Sequence, residues 1–225
     1  MLKVPPRAIS ANMVLRVLLC NCFLAVAAAA GPADQPVRIV VLGDSLVAGF
    51  GLAPTQAFPA QLERALRARG HAVEVINAGV SGDTTAGGLQ RVGWALADHT
   101  DAVILELGAN DALRGLDPGR AKSNLDRIIA AIKARGAEVL LAGMMAPRNM
   151  GPDYVRAFDA IYPELAAKHD VLLYPFFLDG VALDAKLNIG DGLHPNAEGV
   201  SRITARILPL VERLIERIDA TRLKG

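Results

Sequence analysis

Ser45, Gly79, Asn110, Asp191 and His194 are the residues of this 225-residue chain whose types could share one reaction. Acyl transfer needs a nucleophilic oxygen, a base to take its proton, a group that fixes the base's tautomer, and donors where a carbonyl oxygen becomes negative. Ser45 can supply the oxygen and His194 the base. Asp191 lies three residues before His194, near enough to orient the imidazole without any long-range contact. The Gly79 amide, the Asn110 side-chain amide and the N–H of Ser45 itself are candidate donors for the oxyanion. A lone serine would carry little weight, because loop serines commonly cap helices or bond to solvent. The case therefore depends on where the elements place all five.

Ile39-Val-Val-Leu42 is a branched apolar run closed by Gly43, the pattern of a strand buried on both faces. Ser45 then falls at the strand's carboxyl end, where open α/β sheets build their sites. Similar runs at 37–42, 73–77, 102–107, 138–142 and 171–174 alternate with helical stretches near 56–70, 84–98, 117–135, 153–168 and 195–216. Asp117-Pro118 reads as N-cap and first helical residue, and Gly136 as the stop. Pro195 suits the first turn of the last helix, which would hold His194 at the helix entrance. The alternation predicts a doubly wound, flavodoxin-like α/β fold: a three-layer sandwich around a five-stranded, mostly parallel sheet in the order 2-1-3-4-5. In that order the loops after the first three strands are neighbours. A single domain is expected over 37–216, with no internal repeat or interdomain linker.

Composition narrows the partners. Of the 24 bases, Lys3, Arg7 and Arg16 lie in an acid-free leader, leaving 21 bases against 23 acids from Gly31 onward. Such a body offers no basic patch for nucleic acid. The leader itself has a basic start, an apolar stretch at 17–26 and alanines at 27–30 before a polar, turn-forming segment, the pattern of a secretory signal cleaved after Ala30. Met13 offers a second start for the same signal. The apolar stretch is shorter than the roughly 20 residues of a bilayer-spanning helix, so no stable membrane insertion is expected after cleavage. Secretion, in a bacterial setting to the periplasm, follows as the expected location. Cys20 and Cys22 are the two cysteines and both fall in the leader, so the mature chain can use neither disulfides nor thiol catalysis.

The blocks GDSL at 43–46, NAGVSGDTT at 77–85, GAND at 108–111 and DGLHP at 191–195 together resemble the signature blocks of the SGNH (GDSL-type) esterase and lipase family, in order and at similar spacing. Through GDSLVAGFGL, SGDTTAGGLQR, ELGANDALRG and AFDAIYPELAAKHDVLLYPFF the chain is most similar to its bacterial periplasmic thioesterase/lysophospholipase/arylesterase group, over about residues 37–215. The resemblance implies the SGNH hydrolase fold and a serine esterase acting on carboxylic esters or thioesters of small molecules or lipids. It implies a catalytic set of Ser45, Asp191 and His194, an oxyanion hole of Ser45, Gly79 and Asn110, and no metal or organic cofactor. A carbohydrate or peptidoglycan O-acetyl esterase of the same fold is the enzymatic alternative, and a non-catalytic lipid carrier the alternative from another class.

Among the neighbours, Asp44 is expected to satisfy backbone donors of its turn and Asp111 to brace the loop of Asn110. His71, His99 and His169 follow or end helices and have no ligand partner at i+4, so no metal site is expected from them. Met144, Met145, Pro147 and Met150 follow the fourth strand and could line an acyl groove, with core filling the equal alternative for the methionines. Gly49-x-Gly51-x-x-Pro54 lacks the third glycine of a dinucleotide fingerprint, and no Gly-x-Ser-x-Gly elbow is present. The nucleophile is open to direct test. Ser45→Ala should abolish turnover and labelling by an organophosphonate while leaving the circular dichroism spectrum unchanged. Labelling that persists on another serine would overturn the assignment.

Overall fold

In the computed structural model, residues 1–3, 35–96 and 99–222 are described. The leader's apolar stretch, its alanines and both cysteines lie outside them. All the elements belong to one unit, Gly31–Gly225.

Strand β1 (Val37–Gly43) has Ile39 to Leu42 fully buried, because each branched side chain meets a helix layer above or below the sheet. Each such side chain contributes about 1.5–3 kcal/mol relative to exposure. β2 (Val73–Gly79), β3 (Ala102–Glu106), β4 (Glu138–Ala142) and β5 (Leu172–Tyr174) join it in the order β2-β1-β3-β4-β5, with all four pairings parallel. The expected strand order therefore holds.

Eight α-helices accompany the sheet among the described residues: α1 (Ser45–Ala48), α2 (Phe58–Ala68), α3 (Thr85–Ala95), α4 (Ala109–Leu113), α5 (Pro118–Lys133), α6 (Pro152–Asp159), α7 (Ile161–His169) and α8 (Ala197–Arg222). α2 packs on α8, while α3 packs on α5 and α5 on α7, which gives the helix layers of the sandwich. Helix α5 starts as its sequence suggests, with Asp117 accepting from the Gly119 amide at 2.8 Å and Pro118 in the first turn.

The structure departs from the sequence expectations at two helices. The stretch near 153–168 is two helices, α6 and α7, parted at Ala160. Pro163 sits in the first turn of α7, where its missing N–H costs nothing, whereas inside one continuous helix it would break the ladder. The last helix begins at Ala197 rather than 195 and runs to Arg222. Pro195 is not its first-turn residue: it pairs with Asn188 in an antiparallel bridge. Asn196 takes the capping role, its Oδ1 accepting from the amides of Glu198 and Gly199 at 3.0 Å each. His194 is accordingly held by a hydrogen-bonded loop and not by a helix entrance.

The two shortest helices, α1 and α4, have no periodic pattern long enough to announce them, yet they follow β1 and β3 and carry Ser45 and Asn110.

Candidate active site

Gly43 ends β1 level with Gly79 of β2 and Glu106 of β3. A Cβ on Gly43 would lie 2.3 Å from Val47 Cγ2 and 2.7 Å from Glu106 Oε2, so only glycine lets the chain turn there beneath the Glu106 carboxyl. Asp44 then caps α1, accepting from the Leu46 amide at 2.9 Å, as expected of it. Ser45 becomes the first residue of α1, 8% exposed. Its N–H has no acceptor in the helix, as for any first-turn residue.

The loop before α8 brings the base. Ser45 Oγ lies 2.9 Å from His194 Nε2, and His194 Nδ1 lies 2.6 Å from Asp191 Oδ2. A carboxylate only accepts, so Nδ1 carries the hydrogen and Nε2 is left to accept from the serine hydroxyl. The other Asp191 oxygen accepts from the Leu193 and His194 amides at 2.9 and 3.0 Å. Those backbone donors first, and the imidazole after them, lower the Asp191 carboxyl to about 2. It stays ionised as pH falls well below neutral. Phe50 lies against the imidazole, ring centroids 4.6 Å apart, and the Ile189 amide donates to the His194 carbonyl at 2.8 Å. Both contacts limit the ring's freedom.

Asn110, on α4, bridges the loops after β1 and β2. Its Nδ2 donates to Asp83 O at 2.9 Å and to Asp44 Oδ2 at 3.1 Å. Asp111 braces this helix as expected, accepting from the Thr85 amide at 2.8 Å and the Thr85 hydroxyl at 2.6 Å. Tyr162 adds a buried hydroxyl that donates to Leu107 O at 2.9 Å.

Gly79 stands differently from its expected role. Its N–H already donates to Asn77 Oδ1 at 2.9 Å, and a Cβ there would lie 2.2 Å from the Ala48 amide nitrogen, so the residue is a packing contact between β2 and α1. Gly82, three residues on, has the free amide: its N–H makes no hydrogen bond among the described residues, its φ is +80°, and it adjoins the Asp83 carbonyl that holds Asn110. The donors open to a substrate oxygen are therefore the Ser45 and Gly82 amides, with the Asn110 amide shared.

Two further ionisable residues of the site, Arg91 and Glu106, were not singled out by sequence reasoning. Arg91, buried on α3, donates to Gly43 O at 2.8 Å and Ala78 O at 2.7 Å and pairs with Asp83 at 2.6 Å, tying the ends of β1 and β2 to the Gly82 loop. Its spacing from Thr85, Gly88 and Val92 on the inward face of α3 was the available signal. Glu106 was marked by being an acid at the end of a wholly apolar strand. Burial, and then the nearby Asp44 charge, push its carboxyl well above the carboxylate range; burial raises Asp44 to about 6.

The proposed groove residues divide. Met144 is buried in the core, Met145 is 44% exposed, and Pro147 and Met150 are half-buried. The segment is anchored by Asp159, which accepts from the Ala146 amide at 2.9 Å and from Arg148 at 2.6 Å. Met150 Cε approaches Gly115, lying 3.1 Å from where its Cβ would be, and the Tyr154 hydroxyl donates to Leu116 O at 2.8 Å. The loops after β4 and α4 therefore meet, and with Leu113 and Leu116 exposed they form an apolar border.

The sequence pattern of the GDSL-like Lipase/Acylhydrolase family matches residues 41–202. An arylesterase of Vibrio mimicus is 41% identical over 186 residues, 82% of this chain and 92% of its own. The thioesterase 1/protease 1/lysophospholipase L1 of Escherichia coli K12 is 41% identical over 161 residues, 71% of this chain and 76% of its own. The crystal structure of TesA superposes with a TM-score of 0.75 at 39% identity, covering 79% of this chain and 99% of that one.

The placement of Asn110 between Asp44 and Asp83 gives a quantitative expectation. Asn110→Ala should lower kcat by ~10²–10³ with little change in KM, since one donor aimed at a transition-state oxygen contributes about 2.7–4 kcal/mol. An effect confined to KM, measured with an activated aryl ester, would mean that Asn110 binds ground-state substrate instead.

Proposed function

The chain belongs to the GDSL-like lipase/acylhydrolase family and is a serine hydrolase of carboxylic esters, and from that premise we propose a mechanism and a substrate range. The observation that carries the mechanism is the continuous hydrogen-bonded line from Ser45 Oγ through His194 to Asp191, at 2.9 and 2.6 Å. His194 Nε2 takes the serine proton as Oγ attacks the substrate carbonyl. The developing oxyanion is met by the Ser45 and Gly82 amides and by the Asn110 Nδ2 hydrogen that faces Asp44. His194 then returns the proton to the departing alkoxide or thiolate, leaving an acyl group on Ser45. Water, activated by the same imidazole, reverses the sequence. Asp191 remains ionised throughout and stabilises the imidazolium.

The substrate reading is a range of acyl esters and thioesters, including those of aryl alcohols, coenzyme A and lysophospholipid. It is supported by the names of the two relatives, an arylesterase and a thioesterase/lysophospholipase, and by the exposed apolar border of Met145, Leu113 and Leu116. Flexible apolar side chains reward each added methylene by at most ~0.8 kcal/mol and discriminate weakly between neighbouring lengths. We further propose export after cleavage near Ala30, on the leader's sequence pattern. Among the described residues no helix is long and apolar enough to cross a membrane. Intact-mass measurement of the mature protein should find a chain beginning near Gly31, and retention of residues 1–30 would refute export by cleavage.

Hydrolysis across acyl lengths tests the range. We expect cleavage of short aryl esters and of at least one longer ester or acyl-CoA, with kcat/KM changing gradually along the series. A sharp loss between acetyl and butyryl would contradict the open border and favour an O-acetyl esterase.

A further inference from the structure

Glu106 is a fully buried acid at the heart of the site that none of the acyl-transfer steps uses. Its Oε2 accepts from the Asp44 amide at 3.3 Å, and its Oε1 has no partner among the described residues. The Glu106 carboxyl thus sits against the Asp44 backbone, and both side chains are fully buried. Asp44 is the better supplied of the two: Oδ1 accepts from the Leu46 amide at 2.9 Å and Oδ2 from Asn110 Nδ2 at 3.1 Å. Two adjoining carboxyls buried from solvent do not both ionise. The group with fewer donors keeps the proton, and here that group is Glu106. A protonated Glu106 has a hydroxyl to offer the neighbouring Asp44 carboxylate.

The consequence reaches the reacting atoms through Asn110. Asp44 holds one hydrogen of the Asn110 amide, the hydrogen a substrate oxyanion must share. A bare Asp44 carboxylate would grip that hydrogen fully and add an unbalanced negative charge beside the oxyanion. A neutral donor on the far side of Asp44 fixes its orientation and draws its charge away from Asn110.

We propose that Glu106 is a positioning residue of the site: as a neutral acid it donates to Asp44 and thereby presents the Asn110 amide to the substrate's oxyanion. The proposal rests on the esterase reading of Ser45 and Asn110. It separates the two properties of a glutamate, because glutamine keeps a neutral donor and loses the acid, whereas leucine keeps the volume and loses the donor.

The experiment compares Glu106→Gln, Glu106→Leu and Ser45→Ala in steady-state hydrolysis of an aryl ester, with infrared spectra of the parent and Glu106→Gln proteins at neutral pH. Glu106→Leu should lower kcat at least about tenfold with KM within about twofold, and Glu106→Gln should restore kcat to within about threefold of the parent. The parent should show the carbonyl stretch of a buried protonated carboxylic acid, and Glu106→Gln should lack it. Turnover that survives Ser45→Ala marks failure of the underlying reading. With Ser45→Ala inactive, a Glu106→Gln loss as deep as that of Glu106→Leu, or a parent spectrum without the acid band, overturns the Glu106 proposal alone. Should Glu106→Leu fail to fold, the glutamine variant and the spectrum still decide.

Discussion

The parallel pairing of β1 with β2 on one side and β3 on the other sets Gly43, Gly79 and Glu106 level at the carboxyl edge of the sheet. Everything near Ser45 is built outward from that edge. Gly43 passes beneath the Glu106 carboxyl with no room for a Cβ, and Gly79 packs on the backbone of α1 with none either. These close approaches tolerate no slip in register: a shift by one residue would drive a side chain into Glu106 or Ala48. With the register held, the loops after β1, β2 and β3 necessarily adjoin, and Ser45, Gly82 and Asn110 arrive on neighbouring turns. Only the His194 loop comes from elsewhere in the chain. Its own bonds keep it in shape, through the Asn188–Pro195 bridge, the Asp191 turn and the Asn196 cap.

Holding polar groups at a buried edge costs desolvation, and the chain offsets that cost by using each buried group on several partners. Arg91 spends its guanidinium on two strand-end carbonyls and on Asp83, joining the sheet to the Gly82 loop. Asp44 faces a helix-turn amide, the Asn110 amide and Glu106 together. The same low-dielectric setting that makes these groups expensive strengthens the donors proposed for the oxyanion. Function and rigidity thus draw on one set of contacts.

Much of this was legible in the sequence, for physical reasons that also mark where legibility stops. Buried parallel strands announce themselves as branched runs such as Ile39–Leu42, and the order β2-β1-β3-β4-β5 follows from alternation with helices. Ser45 was readable because it follows a recognisable strand, and Asp191 and His194 because they stand three residues apart just before the last helix. Gly79 attracted the oxyanion role since it closes β2, but an amide inside a strand end is already engaged, and the free donor is the Gly82 amide in the turn beyond. Hydrogen-bond occupancy of that kind is tertiary information. The split at Ala160 and the late start of α8 turn on single prolines, whose placement depends on neighbouring loops. Glu106 and Arg91 broke the apolar pattern of their elements, and such local conflicts mark functional positions.

In the proposed mechanism the edge of the sheet and the His194 loop converge on one tetrahedral centre at Ser45 Oγ. A crystal structure of the protein inactivated by an alkyl phosphonate measures this most directly, because the adduct copies the geometry of the intermediate. The mechanism predicts phosphorus bonded to Ser45 Oγ, one phosphoryl oxygen within hydrogen-bond distance of the Ser45 amide, the Gly82 amide and Asn110 Nδ2, and His194 Nε2 beside the leaving-group position. A phosphoryl oxygen turned away from Gly82 and Asn110, or an adduct on another residue, would contradict it.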